Sequence, residues 1–62
     1  MDRVYRVPYM LQSDYWCYMA DAGPYVILYE SVSAPNPRYA AELVEARHPG
    51  YIALEKEIFK TT

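Results

Sequence analysis

The sequence predicts an α+β fold, a single domain over residues 1–62 with one helix packed on one face of a three- or four-stranded, mostly antiparallel sheet. Three observations carry that prediction. Asn36-Pro37 starts a helix, because the asparagine oxygen can accept from free backbone N–H groups and proline suits a first helical position. His48-Pro49-Gly50 ends it, since proline disfavours helical geometry at the residue before it and glycine permits the reversal that follows. Tyr25-Val26-Ile27-Leu28-Tyr29-Glu30 is dense in β-branched and aromatic residues and reads as the strongest strand.

In chain order, residues 3–11 alternate, with Tyr5, Val7, Tyr9 and Leu11 on one side and Val4, Arg6, Pro8 and Met10 on the other, the period of a strand. Pro8 removes one ladder donor, which puts this strand at a sheet edge or the proline at a bulge or strand end. Gln12-Ser13-Asp14 is a polar turn, and Tyr15-Trp16-Cys17-Tyr18-Met19-Ala20, short and aromatic-rich, reads as a second strand closing a hairpin. Asp21-Ala22-Gly23-Pro24 is the next turn. On the third strand Val26 and Leu28, with Val32 if it reaches that far, form an aliphatic side for a helix, opposite Tyr25, Ile27 and Tyr29; residues 31–35 are a connection.

The helix, residues 37–47, is about 16 Å long. Ala40, Leu43, Val44 and Arg47 share a stripe, with Tyr39 and Ala46 on its flank and Arg38, Glu42 and Glu45 on the wet side. A helix this short is unstable alone in water, so the stripe must be buried on the sheet. Ile52, Leu54 and Ile58 are therefore assigned to the helix-facing side of a last strand, with Tyr51, Ala53, Glu55, Glu57 and Phe59 opposite. Lys56 breaks the alternation and marks a bulge or the limit of helix cover. The expected order is βββαβ, the last strand entering by a right-handed crossover to run parallel to the third and the first. If residues 15–20 are irregular, the order is ββαβ. The expected core is Val26, Leu28, Ala40, Leu43, Val44, Ile52 and Leu54.

A chain of 62 residues buries only about 60% of the surface its unfolded form exposes, so a partner or a second copy would add stability. A hydrophobic fraction of 53% argues against disorder, and a net charge of −2 describes neither a polybasic nucleic-acid binder nor a carboxylate-coated mimic of DNA. The lone Cys17 cannot form an internal disulfide, which points to a reducing cytoplasm. No apolar signal core follows Met1, and the longest apolar run, residues 15–20, is far short of the roughly 20 that span a bilayer. The sequence thus reads as a complete small reading frame for a soluble cytoplasmic protein with no membrane association.

No motif for catalysis, metal or cofactor rises from the residues. Cys17 and His48 are the only thiol and imidazole, nothing in their spacing joins them, and a structural zinc site would need further ligands. Glu55 and Glu57 would stand about 6.6 Å apart on one strand face, a separation like that of paired hydrolytic carboxylates, yet Glu-Lys-Glu is the ordinary composition of a protected edge. Gly23 and Gly50 each sit in a turn beside a proline, so no phosphate loop is present. The expectation is a non-enzyme without cofactor or metal.

The unusual feature is tyrosine, which occurs eight times. On the registers above, Tyr5, Tyr9, Tyr25, Tyr29 and Tyr51 gather on the sheet face the helix leaves open, with Phe59 nearby. Tyrosine brings large contact area at low entropic cost, so this face is the candidate protein-binding surface. Three readings compete: a face for a host protein or complex, a platform stacking single-stranded nucleic acid, and a shield for the sheet or a homodimer contact. The nucleic-acid reading lacks the basic, glycine-bearing strand and the excess of Lys and Arg that phosphates require.

Ala34-Pro35-Asn36-Pro37-Arg38-Tyr39-Ala40-Ala41-Glu42-Leu43 followed by His48-Pro49-Gly50-Tyr51-Ile52 resembles the helix-stop-strand joint of very small proteins encoded by bacteriophages and mobile elements, anti-CRISPR proteins among them. The resemblance covers residues 25–59 and transfers no functional residue. It implies a class of action: a phage-encoded inhibitor or modulator that works in the host cytoplasm without catalysis, by occupying a surface of a host protein machine.

Overall fold

The computed structural model describes residues 1–60. Its elements are β1 (Arg3–Leu11), α1 (Gln12–Met19), β2 (Leu28–Ala34), α2 (Pro37–Arg47), β3 (Tyr51–Ala53), a 3₁₀ turn over Glu55–Glu57 and β4 (Phe59–Lys60). β1 is the central strand: β2 pairs along one side of it, while β3 and β4 follow one another along its other side, every pairing antiparallel. The sheet is thus three strands wide and small, an α+β arrangement with two helices rather than one.

α2 forms where the sequence places it, and for the expected reasons. Asn36 Oδ1 accepts a hydrogen bond from the Tyr39 backbone N–H at 2.8 Å, and Pro37 occupies the first turn. Gly50 takes a positive φ of 87°, the left-handed region that glycine enters without a Cβ clash. Ala40, Ala41 and Val44 are buried against Tyr5 and Val7 of β1, Val32 and Ala34 of β2 and Ala53 of β3, with Leu43, Tyr9 and Ile58 half-buried around them. The small alanines let the helix lie close to the strands, so the core is formed by short side chains and one phenol ring.

Residues 12–19 correct the expected turn and strand. They form a helix, while the two sides of β1 are taken by β2 and by β3 with β4, segments that come later in the chain. The helical spacing is present in the residues: Asp14 lies in the first turn, where the macrodipole favours an anion, and Tyr15, Tyr18 and Met19 fall on one side. Losing that strand removes one reversal of chain direction, so β3 runs antiparallel to β1, although it neighbours β1 and runs parallel to β2.

Two strand assignments shift with it. The third predicted strand begins at Leu28 and continues through Ala34, so Tyr25, Val26 and Ile27 precede it and residues 31–34 belong to it. Its register pairs Tyr5 with Val32 and Tyr9 with Leu28, which seats Val32 in the α2 core but leaves Val26 and Leu28 exposed. In the last segment the faces are exchanged: Tyr9 pairs with Ala53 and Met10 with Ile52, so Ala53 meets α2 while Ile52 and Leu54 belong to the opposite face. The aliphatic residues were not needed under α2, because Tyr5, Val7 and Val32 already fill that layer.

Pro8 lies in the central strand, and the chain accommodates it by a break in the neighbour. Its carbonyl accepts from Leu54 N–H at 2.9 Å, so its nitrogen faces the same side, where a continuous strand would require a donor. There the chain leaves the ladder as the Glu55–Glu57 turn and rejoins as β4, pairing Arg6 with Phe59. The broken alternation at Lys56 is this turn, and Glu55 and Glu57 are not neighbours on a strand face.

Candidate functional site

The six predicted surface residues do not share a face. Tyr5 is buried in the α2 core, at 6% exposure. Tyr9 and Tyr51 lie on the same, α2-facing side, since Tyr9 pairs with Ala53 and Leu11 with Tyr51. Tyr29 and Phe59 are exposed on the opposite side through their pairings with Pro8 and Arg6, and the Arg6 guanidinium lies 5.2 Å from the Tyr29 ring centre. Tyr25 precedes β2 and meets Tyr18 edge-on, with ring centres 5.5 Å apart. A period-two pattern cannot reveal which face is which when both carry large side chains, and β1 has tyrosines on one side with Pro8 and Met10 on the other.

A polar cluster sits at the end of α2. Glu30, from β2, accepts from Arg47 Nη1 through Oε2 at 2.7 Å and from His48 Nε2 through Oε1 at 2.6 Å. An ionised carboxylate only accepts, so His48 carries its proton on Nε2. His48 stacks on Tyr9 with ring centres 4.6 Å apart, and Tyr51 approaches both rings edge-on. The hydrogen bond from His48, then that from Arg47, holds the Glu30 carboxyl below its ordinary range against a small opposing effect of burial. Both oxygens are engaged and the imidazole is turned to Glu30 rather than to Cys17, so the cluster ties β2 to the end of α2. Beside it, the Glu45 carboxylate accepts from the Ala53 backbone N–H at 3.0 Å and fixes β3 to the same helix.

α1 presents the opposite situation. None of its eight residues is buried. Trp16 is 64% and Met19 61% exposed, and the rings form a chain: Trp16 edge-on to Tyr15, Tyr15 stacked with Tyr18, Tyr18 edge-on to Tyr25. Tyr15, Tyr18 and Met19 make one wall of an open cleft of 350 Å³, and Leu54, Glu55 and Glu57 contribute to the other. α1 is held at its start by Gln12 N–H to the Gly50 carbonyl at 3.1 Å. Such a surface offers apolar area together with phenol and indole hydrogen-bond donors.

Among the described residues no group of three or more His, Cys, Asp or Glu is placed to hold a metal ion, and no helix is long and apolar enough to cross a membrane. No family model, curated protein or solved structure matches the chain. The aromatic content of residues 15–20 resembles strand composition and hides Trp16 and Met19; the i, i+3, i+4 spacing of Tyr15, Tyr18 and Met19 is the signal of a helix.

Proposed function

We propose that this chain is a non-enzymatic interaction protein that binds and modulates a host protein or complex through α1 and the cleft beside it. The observation that carries the reading is the exposure of α1: a helix with no fully buried residue, half-buried at Asp14, Tyr15, Cys17 and Tyr18, that displays Trp16 and Met19 beside a run of tyrosine rings. Isolated eight-residue helices do not persist in water, and contiguous exposed apolar surface marks an interaction site. Trp and Tyr dominate the binding energy of protein interfaces, and Met adapts to irregular partners. The two residues that best define the surface, Trp16 and Met19, replace the six-residue sheet face the sequence suggested.

The test is affinity capture from nuclease-treated host lysate with wild type, Trp16→Ala/Met19→Ser and the control Arg38→Ala, all checked for folding by circular dichroism. One stoichiometric protein should be recovered by wild type and control and lost by the double variant. Equal recovery by all three places the contact elsewhere, and capture abolished by nuclease supports the rival reading, single-stranded nucleic acid.

A further inference from the structure

The outer edge of β2 is a second, independent surface. Pro8 directs its carbonyl to Leu54 and Gln12 its N–H to Gly50, so the even-numbered residues of β1 point their backbone groups toward β3 and the odd-numbered ones toward β2. The pairings Pro8–Tyr29, Arg6–Ser31 and Val4–Ser33 are therefore the non-bonded positions of the β1–β2 ladder, and Tyr29, Ser31 and Ser33 turn their N–H and C=O groups outward. No described residue receives a backbone hydrogen bond from them or donates one to them. Protected edges carry lysine, proline or a bulge; this one has none over its seven residues, and its single charge, Glu30, is drawn back to Arg47 and His48.

We propose that β2 pairs antiparallel with β2 of a second copy, with Ser31 on the two-fold axis. Full overlap of residues 28–34 demands that register, and it matches outward groups to outward groups: Ser31 with Ser31, Tyr29 with Ser33 and Ser33 with Tyr29 of the second copy. Small serines at the centre and Tyr29 beside a serine leave room for the ring, while Leu28 meets Ala34. No like charges face one another. The sheet then runs continuously through both copies in the order β3-β1-β2-β2-β1-β3. The α1 clefts, which flank β3, are left at the outer ends, so the dimer presents two binding surfaces pointing away from its axis.

Crosslinking reads the register directly. In a Cys17→Ser background, Ser31→Cys puts two thiols on strands whose Cα atoms lie about 5.5 Å apart, within disulfide reach. Ser33→Cys separates them by about 13 Å along the strand. Mild oxidation should yield a covalent dimer of the first and little of the second; equal yields, or none from the first, would overturn the proposal. Ser31→Pro removes an outward N–H that the β1 ladder does not use, so its far-ultraviolet spectrum should match wild type while sedimentation shifts from dimer to monomer. Wild type that stays monomeric across a wide concentration range would overturn the pairing as well.

Discussion

At the scale of single residues, Glu30 ties β2 to the end of α2, and its protonation reports on that tie. Its carboxyl is held below its ordinary value of 4.5 by His48 and then Arg47. A folded-state value below the unfolded one means that the stabilisation is complete above the ordinary carboxylate range and is lost as pH falls through the folded value. Wild type should therefore lose melting temperature more steeply than Glu30→Gln on acidification below 4.5, in scans followed by circular dichroism; identical slopes would mean that the pairing does not form. Gly50 is a second such residue. At a φ of 87°, with nothing within 4 Å of where a Cβ would stand, Gly50→Ala meets no neighbour, and its cost is that of left-handed backbone alone. That cost is about 1 kcal/mol by chemical denaturation. Asn36→Ala, which removes the acceptor for Tyr39 N–H, should cost a similar ~1 kcal/mol, recovered by Asn36→Ser.

At the scale of elements, α2 was legible because its boundaries are set by local chemistry: Asn36, Pro37, Pro49 and Gly50 act within one turn of where they stand. α1 was not, because Tyr and Trp suit strands by propensity and the pairing of both sides of β1 by later segments is a property of the whole sheet. The Tyr15, Tyr18, Met19 spacing was too brief to outweigh composition. The shift of β2 and the exchanged faces of β3 have the same origin, for register depends on which strand is central. Pro8 argued against a central place, and only the Glu55–Glu57 break in the neighbouring strand reconciles it. A stability prediction follows from the exchanged faces. Met10 is fully buried on the side away from α2, whereas Leu43 is only half-buried at the rim of its core. Met10→Ala should cost ~2–5 kcal/mol in urea denaturation and Leu43→Ala clearly less; the reverse order would restore the core the sequence suggested.

At the scale of the whole molecule, extents of 39 × 20 × 14 Å describe a thin body in which α2 covers one sheet face while α1 has no fully buried residue. A chain of 62 residues has little surplus stability, and the partner contact proposed for α1 would account for a helix that leaves Trp16 and Met19 exposed. The tyrosines divide between two places: Tyr5 lies in the core, and Tyr15, Tyr18 and Tyr25 lie in the chain of rings at α1. The most direct measurement is site-specific photocrosslinking in host cells, with a benzophenone amino acid replacing Trp16, Met19 or, on the exposed side of α2, Glu42. One discrete protein adduct of the same mass from positions 16 and 19, with none from 42, is the predicted result. An adduct from position 42 with none from 16 or 19 would contradict the assignment of α1 as the contact surface.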